Sequence, residues 1–235
     1  MVYEGFTTDY DLMNEELIQG AELTDYWNFP IINPYHGEIR KTVSFKESFK
    51  KKFNEHEVSN LNFFEDDCFF NQIWNSPFRY LDHLKKFQSV CMPDFSKAEE
   101  APLAISLWNN YRNMALARWM TNNGIKVVPS ISTLPESCWE WCFDGFPKHS
   151  VYCCSTNGFL KDEYKHEYFI KAFHEAEKRL EPEFVYIIGR KVIDLEPDCG
   201  IIYLNNCSMN NEKLIKGMNL YTPKRIVKIV NKQQN

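Results

Sequence analysis

The sequence predicts an α/β domain, built on a mainly parallel sheet of five or six strands with covering helices, as an open sheet or a partial barrel. Three observations predict it. Short apolar runs recur from Leu61 to Leu204, most are followed by a helix-length amphipathic stretch, and polar residues close each run. Strand and helix in alternation favour parallel pairing, because a parallel crossover needs a long connection. Right-handed crossovers then bring the strand ends to one side of the sheet.

The first legible strand is Leu61 to Glu65, short and aromatic, with Asp66 and Asp67 directly after it. Phe69 to Trp74 and Pro77 to Lys86 read as helical, with Pro77 suited to a first turn. Phe87 to Met92 is the next strand. Pro93 lacks an N–H and ends its ladder, leaving Asp94 and Ser96 at the carboxyl end. Pro102 to Asn123 is a clear helix, since Ala104, Trp108, Tyr111, Ala115 and Trp119 recur at helical spacing. Glu99 and Glu100 suit its positive end, and Gly124 suits its stop. Ile125 to Val128 and Ser150 to Cys154 are strands closed by Ser130 and Ser132, and by Ser155, Thr156 and Asn157. Tyr164 to Leu180 is a second amphipathic helix, stopped before Pro182. Phe184 to Ile188 is a strand ending at Gly189 and Arg190, and Gly200 to Leu204 reads as one more.

Residues 61–205 therefore form the α/β core. Residues 1–60 read as an extended or irregular segment packed on it, because Pro30 and Pro34 interrupt an aromatic-rich run. Residues 206–235 read as a Lys-rich C-terminal extension.

Composition narrows the function classes. An apolar fraction of 44% and a charged fraction of 25% are those of a globular chain. A net charge of −5 argues against broad nucleic-acid binding, which needs a basic face. No apolar run approaches the roughly 20 residues of a membrane helix. The first twenty residues are acidic without an apolar stretch, so a cytoplasmic location with eight free, mostly buried thiols is expected. Gly-rich phosphate loops, dinucleotide fingerprints and nucleophile elbows are absent from the sequence.

The candidate site lies at the carboxyl ends of the strands, where open α/β sheets bind ligands. Asp66, Asp67 and Asp94 follow neighbouring strands and would suit Mg²⁺ or Mn²⁺, hard cations that prefer oxygen ligands. The competing reading has Asp67 capping a helix and Asp94 closing a turn. Asp94, Glu140 and Asp144 are the candidate acid–base groups, and Trp139 and Trp141 could stack on a sugar or base. Those rings could equally pack their own loop down. Ser96, Ser130, Ser155, Asn157 and Arg190 follow strands and could bind ligand. Arg112 could clamp an anion or hold a carboxylate at the sheet edge.

Several of these residues carry a resemblance. Phe63 to Asp67, Trp74, Pro77, Tyr80, Leu81, Cys91 to Ser96, Asn110 to Arg112, Gly124, Ile125, Val128, Pro129 and Cys142 to Gly145 resemble a family of uncharacterised proteins of bacteria, phages and mobile elements. The resemblance covers about residues 60 to 190, and Pro93-Asp94-Phe95-Ser96 is its most specific element. It implies homology and a phage-like setting, and it supplies no chemistry.

Two functional classes stand open at this point. One is an enzyme, such as a metal-dependent hydrolase, acting on a nucleotide or sugar-phosphate-like ligand. The other is a non-enzymatic protein that sequesters a ligand or blocks a partner. The oligomeric state is open in both.

Overall fold

The computed structural model describes residue 2, residues 13–97, 101–160 and 162–205, and the backbone of 220–221. Glu99 and Glu100, Cys207 and almost all of the Lys-rich tail lie outside the described residues.

Four short strands, β1 (Thr42–Ser44), β2 (Asn60–Asn62), β3 (Ser89–Cys91) and β4 (Val127–Val128), pair in parallel and in chain order. Three longer ones, β5 (Val151–Ser155), β6 (Phe184–Ile188) and β7 (Gly200–Leu204), do the same, and β8 (Leu220–Tyr221) adds an antiparallel edge. The parallel sheet was expected as one unit of five or six strands. Instead each of two sheets holds four strands. The break falls at Pro129, which cannot donate to a ladder. A single parallel bridge between Ser130 and Cys153 spans it, with Cys153 N donating to Pro129 O at 3.0 Å and Ile131 N to Cys153 O at 2.8 Å.

The two sheets curl together into a partial barrel. Strands lie about 4.8 Å apart, so side chains two strands apart in a flat sheet are roughly 10 Å apart. The thiols of Cys91 on β3 and Cys153 on β5 are separated by only 3.1 Å. Alternate residues accordingly enter two cores. Cys91, Val128, Cys153, Tyr186, Ile188, Ile202 and Leu204 face inward and cluster with Tyr35, Ile39 and Phe64. Val90, Val127, Tyr152, Cys154, Val185, Ile187 and Ile201 face outward, under the helices. On β1 to β3 the inner face is polar: Thr42, Asn60, Asn62 and Ser89 are fully buried. Asn62 Nδ2 donates to Thr42 Oγ1 at 2.7 Å, and Asn60 Nδ2 to Ser89 Oγ at 3.0 Å, which satisfies groups that would otherwise be costly there.

Residues before 61 do more than pack on the core. They supply β1 and the short helix α1 (Phe45–Ser48), whose first turn is capped by Ser44. A three-residue strand with one apolar residue leaves no alternation to read. The segment ahead of it passes under the amino ends of the strands, where Tyr35 O accepts from Val151 N at 2.7 Å and Lys41 O from Asn60 N at 2.8 Å.

Outside the barrel, α2 (Gln72–Asn75) is a single turn in the stretch read as helical from Phe69 to Trp74. Where one helix was expected from Pro77 to Lys86, a 3-10 segment (Pro77–Tyr80) runs into the single turn α3 (Leu81–Leu84). The long helix α4 (Leu103–Asn122) ends at Gly124, whose φ of 81° is the left-handed conformation that glycine adopts freely. After the short α5 (Trp139–Cys142), α6 (Glu163–Leu180) is capped by Asp162, whose Oδ1 accepts from Lys165 N at 3.1 Å. It buries Phe169, Ala172, Phe173, Ala176 and Leu180 on one face.

Candidate functional site

A cavity of about 390 Å³ opens at the carboxyl ends of β2 to β5. Each strand contributes the loop that leaves it: Phe64 to Asp66 after β2, Asp94, Ser96 and Lys97 after β3, Ile131 to Leu134 after β4, and Ser155 and Asn157 to Phe159 after β5. A larger cleft of about 540 Å³ lies at the opposite end, between residues 33–38 and 124–127. The smaller one is the better candidate, because it brings the buried Lys97 together with Asp94 and occupies the end where α/β barrels hold their chemistry.

The loop after β3 is held rigidly from two sides. Ser96 N donates to both Asp67 carboxylate oxygens at 3.1 Å, and Ser96 Oγ donates to Oδ1 at 2.9 Å. From α4, Asn113 Oδ1 accepts from Phe95 N at 2.8 Å, and Asn109 Nδ2 donates to Ser96 O at 2.5 Å. Arg112 orients that amide by donating to Asn109 Oδ1 at 2.6 Å, donates to Asn71 Oδ1 at 3.2 Å, and lies 3.7 Å over the Phe95 ring. Burial lowers the Arg112 pKa from its ordinary value, and the Asp67 charge opposes that shift.

Asp94 and Lys97 are what this loop presents. Lys97 Nζ lies 3.6 Å from Asp94 Oδ1; the lysine side chain is 2% exposed and the aspartate side chain 34%. Burial pushes the Asp94 carboxyl above the usual Asp range; Lys97 pulls it back, and Asp67 adds to the rise. Among the described residues Lys97 Nζ has no hydrogen-bond acceptor.

The structure gathers Asp66, Asp94, Ser96, Ser155 and Asn157 on this cavity. Asp66 is exposed at its rim, Ser155 Oγ accepts from Asn157 N at 3.1 Å, and Asn157 Nδ2 donates to Phe64 O at 3.1 Å. Asp67 braces the loop from behind. The three aspartates do not make a metal-holding set by themselves, and among the described residues no group of three His, Cys, Asp or Glu does.

The remaining candidates lie elsewhere. Ser130 is buried and donates to Met92 O at 2.9 Å, stitching β3 to the strand junction. Arg190 is exposed on the loop after β6, with its carbonyl accepting from Thr156 Oγ1 at 3.1 Å. Trp139 and Trp141 belong to α5 on the outer layer. Trp139 Nε1 donates to Leu134 O at 2.8 Å, its carbonyl accepts from Arg179 Nη1 at 3.0 Å, and Trp141 is 2% exposed in the outer core. Glu140 is exposed and Asp144 half-buried on that same segment, away from the cavity walls. It is fastened where Ile32 N donates to Gly145 O at 2.9 Å. The seven cysteines among the described residues are free, and burial raises the thiols of Cys91, Cys154 and Cys142, the last to about 12.

Sequence reasoning missed Lys97, Thr133 and the ring walls Phe64 and Phe159. Lys97 stands three residues after Asp94 in the same loop, but a lone lysine ordinarily faces solvent, and nothing local marks this one as buried.

Residues 21–204 match the family described as "Domain of unknown function (DUF4417)". Over 130 residues, 55% of this chain, the sequence is 32% identical to a Gene 1 protein of Mycobacterium phage L5, covering 57% of that protein. It is 29% identical over the same length to a Gene 1 protein of Mycobacterium phage D29, covering 48% of it. The chain thus spans about half the length of the curated relatives it matches. No solved structure matches it. With 184 of its 235 residues (21 to 204) inside the match, the chain belongs to the DUF4417 family, a domain of unknown function with relatives among phage proteins.

Proposed function

We propose that this domain binds a small polar ligand of the nucleotide or sugar-phosphate class in the cavity at the carboxyl ends of β2 to β5. The observation that carries the reading is the joint placement of Asp94 and Lys97 on a cavity with both apolar and hydrogen-bonding walls. Phe64, Ile131, Leu134 and Phe159 offer surface for a ring, while Ser132, Ser155 and Asn157 offer hydroxyl and amide groups. A volume of about 390 Å³ falls in the range of small-molecule sites.

Asp94 is the group suited to move a proton, since its raised proton affinity places it nearer to neutral pH than an exposed aspartate. Turnover needs Asp94 freed from Lys97. Binding without turnover, the sequestering alternative, follows if the pair stays closed in the complex.

The test is calorimetric titration with a panel of nucleotides and sugar phosphates, with and without Mg²⁺ or Mn²⁺, on the wild type and on Ser132→Trp. The indole fills the cavity from a half-buried wall position. At least one compound should bind the wild type and lose about 100-fold in affinity in the filled variant, a loss of roughly 2.7 kcal/mol. A panel that binds both proteins alike, or neither, removes the reading.

A further inference from the structure

Lys97 is a buried lysine on the wall of the cavity. Its side chain is 2% exposed, it lines the mouth cavity, and Nζ has no hydrogen-bond acceptor among the described residues. The Asp94 oxygen at 3.6 Å compensates its charge but lies beyond hydrogen-bonding distance. Burial of an ammonium is costly unless it is both paired and hydrogen-bonded. The described residues thus leave Lys97 without a strong acceptor, and the cavity is where one would enter.

Resting on the ligand site proposed above, we infer that Lys97 is the receptor for an anionic oxygen group of the ligand, phosphoryl or carboxylate, and that Asp94 takes up a proton when the anion arrives. The anion replaces the carboxylate as the partner of Lys97. Asp94 is then left among groups that are negative or neutral. Asp67 faces it from the turn after β2, Glu65 and Asp66 stand across the cavity, and the Cys91 and Cys154 thiols lie beneath it on β3 and β5. Cys142 on α5 faces Lys97 and is uncharged, its thiol held up to about 12. Arg112 on α4 acts on Asp67. With Lys97 engaged elsewhere, nothing named here favours the charged form of Asp94.

The linkage has a definite sign. Below the Asp94 pKa of the free protein the carboxyl is already protonated, and affinity is independent of pH. Above it, binding brings a proton in, so affinity falls as pH rises, by up to tenfold per unit. The fall stops above the pKa of the complex. Burial sets the lower bound of this window above the ordinary Asp value of about 3.9.

Titration with sulfate, which keeps its charge from pH 5 to 8, and separately with malonate, tests this on the full chain. Sulfate stands for a phosphoryl source and malonate for a carboxylate source, and the tighter of the two identifies the group. Wild-type Kd for sulfate, the anion used for every pH profile, should rise with pH across the window. Lys97→Met should weaken both anions at least tenfold. Asp94→Asn should bind more tightly than wild type at pH 7 with a flat pH profile, and it decides the matter even if Lys97→Met does not fold. Unchanged anion affinity in folded Lys97→Met, or a wild-type pH slope in Asp94→Asn, overturns the inference. Anion binding with this pattern, in a protein that binds no nucleotide or sugar phosphate, keeps Lys97 as receptor and discards the ligand class. A nucleotide lost in Ser132→Trp but unaffected in Lys97→Met does the reverse.

Discussion

Asp67 illustrates how a carboxylate at a strand end can serve geometry. Ser96 donates from its amide and hydroxyl to the two Asp67 oxygens, and the turn that carries Asp94 cannot relax without breaking those bonds. Its neighbour Asp66 is exposed and caps nothing, since no side-chain cap bond forms at that position. Asp67→Ala should therefore cost about 1 to 2 kcal/mol, a charge-assisted bond discounted for partial exposure, whereas Asp66→Ala should stay within about 0.5 kcal/mol. Urea denaturation of the two variants checks this, and equal stabilities would strip Asp67 of its bracing role. The sequence could not separate these adjacent residues, because what distinguishes them is a partner twenty-nine positions away.

At the scale of elements, legibility followed length. Helices α4 and α6 run 20 and 18 residues, so their periodicity accumulates over several turns, and both were readable with their stops. The four-residue helices α2, α3 and α5 contain no full repeat. The Trp-rich segment misled in its own way: two rings beside carboxylates suggest a ligand platform, yet here they close the outer layer through Leu134, Arg179 and the loop before β1. Strand β2 was legible but placed late, from Leu61 to Glu65 rather than Asn60 to Asn62. Asn60 and Asn62 flank Leu61 in a pattern that looks solvated, and they face inward only because a polar ladder satisfies them. The stop of α4 yields a clean measurement. A Cβ at Gly124 meets nothing within 4 Å, so Gly124→Ala reports only the left-handed backbone, and it should cost about 1 kcal/mol in thermal unfolding. No loss would mean the turn relaxes to another conformation.

The molecule as a whole should lose stability on acidification through a group far from the cavity. His83 accepts or donates at 2.9 Å to Ser48, stacks 4.0 Å from the Phe49 ring, and is lowered to about 4 by burial, with His56 and Lys86 adding. An unfolded histidine titrates near 6.5. Between those values the unfolded chain binds the extra proton, so stability falls as pH drops from about 6.5 and levels off below about 4. Urea midpoints of wild type and His83→Gln across pH 4 to 7 should diverge, with the shallower slope in the variant. Parallel slopes would show that His83 binds its proton equally well in the folded and unfolded chain.

The bond from Ser150 Oγ to Tyr35, like that from Val151 N to Tyr35 O, joins positions about 115 residues apart. Strand pairs in chain order need only the shorter closures between successive β–α units, so loop entropy favours assembling the seven parallel strands stepwise. The floor beneath them has to wait for β5. In kinetic terms the Tyr35 closure belongs on the native side of the folding barrier: weakening it should quicken unfolding and leave the refolding rate nearly untouched. The loop that carries Asp94 and Lys97 takes its bracing from Asp67 and α4, whereas the opposite end is sealed only once β5 arrives.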